Sequence, residues 1–337
     1  MIAPVLNRFN NGRVDPDLLA QIADEVAAVE AELAINVRSR VSIVDRAGRM
    51  TLEAGGKRLR PAFVGLAAKA TGLPYDVART RLLGAALEMV HMATLIHDDV
   101  IDNSATRRGR PTAATECGNA GAILAGDALL ARAMWLLSRD GDVALVRVVA
   151  EAVVDVAQGE VRELECRGNF DLSEEAHIEI LRMKTASFIE CCCEIGGMAA
   201  GADENIRRAL KFYGHHIGMA FQIVDDLLDY RGDRTKTGKP TATDFREGQA
   251  TLPLIYLRER MAEPELTAVK GCFGKSPTDD EIRMLVQLMA SRGAFDRAEK
   301  LARTHVDRAL EAAADLPPTA SRELLATMAE YVFQRDS

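Results

Sequence analysis

The chain has 337 residues, of which 48% are hydrophobic and only 5% aromatic, and its formal net charge is −8. That supply of apolar side chains suffices for a sizeable core and excludes a disordered chain. The negative balance, with no basic stripe interleaved with stacking aromatics, argues against a nucleic-acid binder, so an anionic ligand would need local help from metals or from Lys and Arg.

Met1 to Asp15 carries polar Asn and Arg in place of a long apolar run. No later stretch reaches about 18 uninterrupted apolar residues, so neither a leader nor an integral membrane segment is expected and the chain reads as cytoplasmic. From Asp17 to Arg335, Ala, Leu, Glu and Arg dominate with few β-branched alternations, which predicts an all-α protein. The helical pattern breaks at Gly55-Gly56, Gly72-Leu73-Pro74, Arg108 to Pro111, Gly141, Gly168-Asn169, Gly201, residues 231 to 249, Gly271 to Pro277 and Leu316-Pro317-Pro318. No low-complexity linker divides the chain, so residues 1–337 are expected to form a single domain. The irregular stretch 231 to 249 is long enough to suggest a functional loop. Cys191, Cys192 and Cys193 are adjacent, point in different directions on a helix and cannot share a metal; they read as buried thiols of a reducing compartment.

The chemistry-bearing residues come in order. A tight basic turn, Gly55-Gly56-Lys57-Arg58-Leu59-Arg60-Pro61, opens the series. On the helix expected over Leu82 to Asp102, His91, Thr94, Asp98 and Asp102 fall three or four residues apart and form one stripe, while Met92, Ala93, Leu95 and Ile96 make the rest apolar and buried. Arg107, Arg108 and Arg110 follow. The spacing Asp98-Asp99-x-x-Asp102 recurs 127 residues later as Asp225-Asp226-x-x-Asp229. There Gln222 shares the acidic face and Arg231, Arg234, Lys236 and Lys239 come next. One such cluster would be an ordinary solvated acidic patch, and His91 or the basic turn alone an ordinary surface feature. Two clusters, each closing an apolar helix and each backed by a basic loop, point to paired carboxylate arms that hold Mg²⁺, which takes oxygen ligands from one or two carboxylates, waters and substrate phosphates. Ringed by Lys and Arg, such arms suit a diphosphate and stabilise the charge that develops as it departs from carbon.

At these residues the chain resembles the trans-isoprenyl diphosphate synthases, the polyprenyl synthetase family. Gly-Gly-Lys-Arg-Leu-Arg-Pro (55–61), Leu-Ile-His-Asp-Asp-Val-Ile-Asp (95–102), Arg-Arg-Gly (107–109), Lys-Thr-Ala (184–186), Phe-Gln-Ile-Val-Asp-Asp-Leu-Leu-Asp (221–229) and Gly-Lys-Pro (238–240) occur in the family's order. The resemblance implies an all-α bundle around a deep central cavity, usually a homodimer. It also implies a head-to-tail condensation of isopentenyl diphosphate with an allylic diphosphate. By motif, Asp98, Asp102 and Asp225 are expected as the main Mg²⁺ ligands, with Asp99, Asp226 and Asp229 acting directly or through water. About three ions are expected with substrate bound. Lys57, Arg60, His91 and Arg108 are expected at isopentenyl diphosphate, and Arg107, Lys184 and Lys239 at the allylic diphosphate. Thr185 and Gln222 would lie near the cationic carbon, and the released diphosphate, not a side chain, would take the proton.

Two positions depart from the family pattern: Gln249 stands where Lys is frequent, and Glu163 stands where Gly-Glu-x-x-Gln has an amide. Product length is read from Ala93 and Thr94, one turn before Asp98, where small side chains leave an apolar tunnel open. Met134 and Trp135 are candidates for a deeper floor. The context resembles octaprenyl-type synthases, giving an expected product of about thirty to fifty carbons, with about forty favoured. A geranylgeranyl diphosphate synthase, a noncatalytic partner subunit and a terpene cyclase are the rival readings.

Overall fold

The computed structural model describes residues 15–232 and 241–332. These residues are helical nearly throughout, as the composition predicts. The described residues separate into two compact units: 15–151, 191–211 and 314–327 in the first, and 152–190, 212–232, 241–313 and 328–332 in the second.

In the first unit, α1 (Pro16–Asn36) starts where the Asp15 side chain accepts from the Asp17 amide, with Pro16 pre-set for the first turn. It ends before a turn that no Gly or Pro announces. There the Asp45 carboxylate accepts from Arg38 Nε at 2.7 Å and from the Ser39 amide at 3.2 Å, so a side chain from the next helix makes the break. Helices α2 (Ser42–Glu53) and α3 (Leu59–Ala70) flank the basic turn. Helix α4 (Val77–Ile101) buries Leu83, Leu87, Met89, Met92, Ala93 and Ile96 among its residues and packs against α1, α3 and α5 (Ala113–Asp140). Between α4 and α5 the basic loop forms a two-residue antiparallel ribbon, β1 (Thr106–Arg107) with β2 (Arg110–Pro111), which helical periodicity does not foresee. Helix α5 is long and apolar enough by composition to pass for a membrane span. It is a core helix of the fold instead, burying Ala122, Ala125, Leu129, Ala133, Leu136 and Leu137.

In the second unit, helix α7 (Glu174–Leu181), capped by Ser173, runs into a π-helical turn at Arg182–Ala186. Helices α6 (Val143–Cys166), α8 (Ser187–Ala199) and α9 (Glu204–Arg231) each have residues in both units. The 231–249 stretch is not wholly irregular, since Thr243–Glu247 forms the short helix α10. Beyond it, α11 (Leu252–Arg258), α12 (Glu263–Cys272), α13 (Asp279–Ser291) and α14 (Ala294–Ala314) follow; α15 (Ala320–Tyr331) has residues in both units. Ile223, Leu227, Tyr230, Phe245, Leu254, Met289 and Phe295 are buried in the second unit's core.

Candidate active site

In the first unit the basic turn is built around Arg58. Its backbone is left-handed (φ 48), a conformation that costs a non-glycine residue about 1–3 kcal/mol and persists only when its surroundings enforce it. The enforcement is visible: Arg58 Nη1 donates to Glu88 at 3.0 Å, Nε to Glu30 at 3.2 Å and Nη2 to the Leu52 carbonyl at 2.9 Å. Arg58 therefore ties the turn to α1, α2 and α4. Arg108 is also left-handed (φ 52), at the tip of the ribbon. Its guanidinium lies close over Gly56, where a Cβ would come 2.9 Å from Nη1, so any larger residue there would displace the arginine tip.

The outcome is a concentration of positive charge around His91. Burial and the guanidinium groups of Arg60, Arg108, Arg107 and Arg58 hold its imidazole well below the ordinary value, so His91 is neutral. Burial also lowers Arg60, against the pull of Glu88, Cys192 and Asp98, and lowers Arg108, helped by Arg58 and Arg107. Lys57 projects outward from the turn. Four guanidinium groups gathered around one neutral imidazole, two of them bonded to the buried carboxylates Glu88 and Asp99, suit an anion with several oxygens.

The end of α4 divides its three carboxylates. Asp99 is buried and accepts from Arg107 Nε at 2.8 Å. Asp98 is partly exposed, and Asp102 is exposed at the helix end, where its amide bonds the Asp98 carbonyl at 2.8 Å. The middle carboxylate thus orients an arginine, while the outer pair lies four residues apart on one face.

In the second unit Asp225 is exposed and Asp226 is buried. His177 Nε2 donates to Asp226 at 2.8 Å, Gln222 Nε2 lies 3.4 Å from its other oxygen, and Thr185 donates to Gln222 Oε1 at 3.0 Å. Thr185 and Gln222 are therefore brought together and fixed on Asp226. The Asp229 carboxylate accepts from the amides of Thr243 and Asp244 at 3.0 and 3.1 Å. Burial raises its pKa, those amides opposing the shift. Lys184 stands on the π turn with its Nζ 2.9 Å from Glu160 and 2.5 Å from Glu163. Burial alone would lower its pKa, but the two carboxylates outweigh it and the pKa is raised. The turn presses against Gly159, where a Cβ would come within 2.7 Å of the Lys184 amide nitrogen.

Asp244 has no part in the sequence expectations. Burial, then Asp229, Asp226, Glu163 and Glu247, push its carboxyl well above the ordinary value. Its signal lay in Thr243-Asp244-Phe245-Arg246-Glu247, behind the second cluster, where the chain returns to Asp229.

Among the described residues no three His, Cys, Asp or Glu side chains converge as a ready-made metal cage. Asp98 and Asp102 at the end of α4, and Asp225 on α9, each offer oxygen donors only. That donor set fits Mg²⁺. Lys239 lies outside the described residues, and so do Arg234 and Lys236. Ala93 is buried, Thr94 partly buried with its hydroxyl on the His91 carbonyl at 2.8 Å, and Met134 partly buried. Trp135, the other candidate for a deeper floor, is 44% exposed, with the Arg132 and Arg139 guanidinium groups over its ring. Cys191, Cys192 and Cys193 are buried, and burial pushes the Cys192 thiol up to about 12.

An all-helical protein that gathers guanidinium groups around a neutral histidine beside carboxylate-tipped helices defines a class, that of enzymes acting on diphosphates. Residues 41–289 match the polyprenyl synthetase family. The chain is 36% identical to the heptaprenyl diphosphate synthase component 2 of Geobacillus stearothermophilus, covering 94% of this chain and 97% of that one. It is similar to the crystal structure of a decaprenyl diphosphate synthase from Rhodobacter capsulatus, with a TM-score of 0.89, 36% identity, and 95% and 99% of the two chains covered. It is also similar to a polyprenyl synthase from Caulobacter crescentus complexed with calcium and isoprenyl diphosphate, with a TM-score of 0.89, 35% identity, and 96% and 99% covered. The chain belongs to the polyprenyl synthetase family and is a prenyltransferase. Members of this family use divalent metal with diphosphate substrates.

Proposed function

We propose that the chain condenses isopentenyl diphosphate head to tail with an allylic diphosphate, and repeats the step to make an all-trans polyprenyl diphosphate in the C35–C50 range, with about forty carbons favoured. The carrying observation is the arginine ring around neutral His91, on the helix that ends in the carboxylates Asp98 and Asp102. Lys57, Arg60, His91 and Arg108 bind isopentenyl diphosphate. Arg107, oriented by Asp99, binds the allylic diphosphate together with Lys184 and Lys239. Mg²⁺, held by Asp98, Asp102 and Asp225 with help from Asp99, Asp226 and Asp229, supplies neutralisation of the diphosphate charge when bound.

The allylic carbon–oxygen bond breaks with its electron pair going to the diphosphate. Thr185 and Gln222, locked to one another, aim neutral oxygen dipoles at the cation without capturing it. The double bond of isopentenyl diphosphate attacks, a carbon–carbon bond forms, and the released diphosphate takes the proton lost. Ala93 and Thr94 leave room for the growing chain. The two units work as one catalytic domain in the cytoplasm. Exposed Ile123, Leu124 and Trp135 on α5 supply an apolar face for a second copy, which supports a homodimer.

A second reading follows from the relative named as a component: the chain works as one subunit of a heteromeric synthase. Incubating the purified chain alone with Mg²⁺, labelled isopentenyl diphosphate and a series of allylic primers tests both. Long products from the chain alone establish the first reading, and activity only on adding a partner establishes the second.

A further inference from the structure

Lys184 has more negative charge around it than it can balance. Its ammonium sits between Glu160 at 2.9 Å and Glu163 at 2.5 Å, two carboxylates three residues apart on one face of α6. Asp226 and Asp244 extend the same negative region: Asp226 raises the pKa of Glu163, and Glu163 raises that of Asp244. Glu163 is strained electrostatically. Burial raises its pKa, and Glu160 and Asp226 push the same way, with Lys184 alone opposing. An ammonium flanked by two carboxylates offers an incoming anion no net positive charge. A diphosphate approaching this face meets repulsion until divalent cations arrive.

We propose that Glu163 is a positioning residue that holds Lys184 in a doubly anchored, neutralised state, and so makes binding of the allylic diphosphate depend on prior or simultaneous metal binding. The inference deepens the prenyl-transfer reading and rests on it. Glu163 does not touch the reacting carbon; it acts through Lys184. Its charge suppresses metal-free capture of diphosphate, which also weakens retention of the diphosphate released after each condensation.

Glu163→Gln is the direct test, because it keeps the shape and an acceptor oxygen for Lys184 while removing the charge. Full-length wild type and variant are compared in three measurements. These are KM for farnesyl and isopentenyl diphosphates, the Mg²⁺ concentration for half-maximal rate, and calorimetric binding of inorganic pyrophosphate in EDTA. Removing one buried like charge is expected to lower the allylic KM and the Mg²⁺ requirement about fivefold, to leave the isopentenyl KM unchanged, and to tighten metal-free pyrophosphate binding by a similar factor. A merely structural role would move melting temperature and kcat and leave the metal-free titration untouched. Glu160→Gln removes the other carboxylate and must shift the same readouts the same way, so the test survives if the first variant fails to fold. Equal pyrophosphate affinity and equal Mg²⁺ dependence in wild type and variant overturn the proposal. A wild type that incorporates no isopentenyl diphosphate, alone or with a partner subunit, overturns the prenyl-transfer reading instead, and the metal-free titration still decides the role of Glu163.

Discussion

The Nε of Arg107 donates to Oδ1 of buried Asp99 across 2.8 Å. The acidic cluster that closes α4 thus contains two kinds of carboxylate: Asp99, buried and aiming an arginine, and Asp98 with Asp102, which reach solvent.

That division predicts an order of damage. Asp98→Ala and Asp102→Ala should each lower kcat/KM by about a hundredfold or more, as expected for loss of charge stabilisation at the reacting diphosphate. Asp99→Asn, which keeps an acceptor for Arg107, should cost only about tenfold and chiefly raise the allylic KM. Steady-state kinetics on the three variants check it; an Asp99 variant more damaged than the Asp98 variant would contradict the assignment.

The Arg58–Glu88 pair is buried on both sides, each side chain 3% exposed. Removing one partner leaves the other charge uncompensated, which costs about 3–5 kcal/mol. Glu88→Ala should therefore lower the urea midpoint markedly, and it should do so without substrate present. An unchanged midpoint would show that Glu30 and the Leu52 carbonyl alone suffice for Arg58.

Such pairings mark the boundary of what is legible in the sequence. The repeated Asp spacing, the basic turn and the apolar helix between them are local patterns, and helical geometry alone says which of their members share a face. Glu88 gives no local signal, and the local patterns around Glu163 and Asp244 do not say what those carboxylates meet. Each acquires its meaning from residues distant in the chain or on another helix: Arg58, Lys184 and Asp229 respectively. The 44% exposure of Trp135 is likewise not legible, since periodicity places it on a helix face and says nothing of which face is covered. The break after α1 was missed because Asp45, a residue of the next helix, makes it.

Acid should destabilise the chain through its histidines. His216 and His305 bond Nδ1 to Nδ1 at 2.8 Å, one donating to the other, and burial followed by neighbouring charges lowers them to about 3 and about 4. His91 is lowered as well. In the unfolded chain each titrates near 6.5. The unfolded state therefore binds more protons below that pH, and stability falls as pH drops from 6.5 toward 4. Each histidine contributes at most about 1.4 kcal/mol per pH unit. Urea unfolding at a series of pH values measures it, and a flat profile between 6.5 and 4.5 would contradict the buried neutral state.

Ala93 is buried on α4 one turn before Asp98. Ala93→Phe should place a ring across the path of the growing chain and shift the product to about fifteen or twenty carbons, while Trp135→Ala, on the surface, should leave its length unchanged. Reversed-phase analysis of dephosphorylated products distinguishes the two.

The most direct test of prenyl transfer is incubation of the purified chain with Mg²⁺, labelled isopentenyl diphosphate and, separately, dimethylallyl, geranyl, farnesyl and geranylgeranyl diphosphates, with product length read by chromatography. The structure and its family predict EDTA-sensitive incorporation into products in the C35–C50 range. A chain that incorporates no isopentenyl diphosphate with any primer, alone or with a partner subunit, would contradict the account.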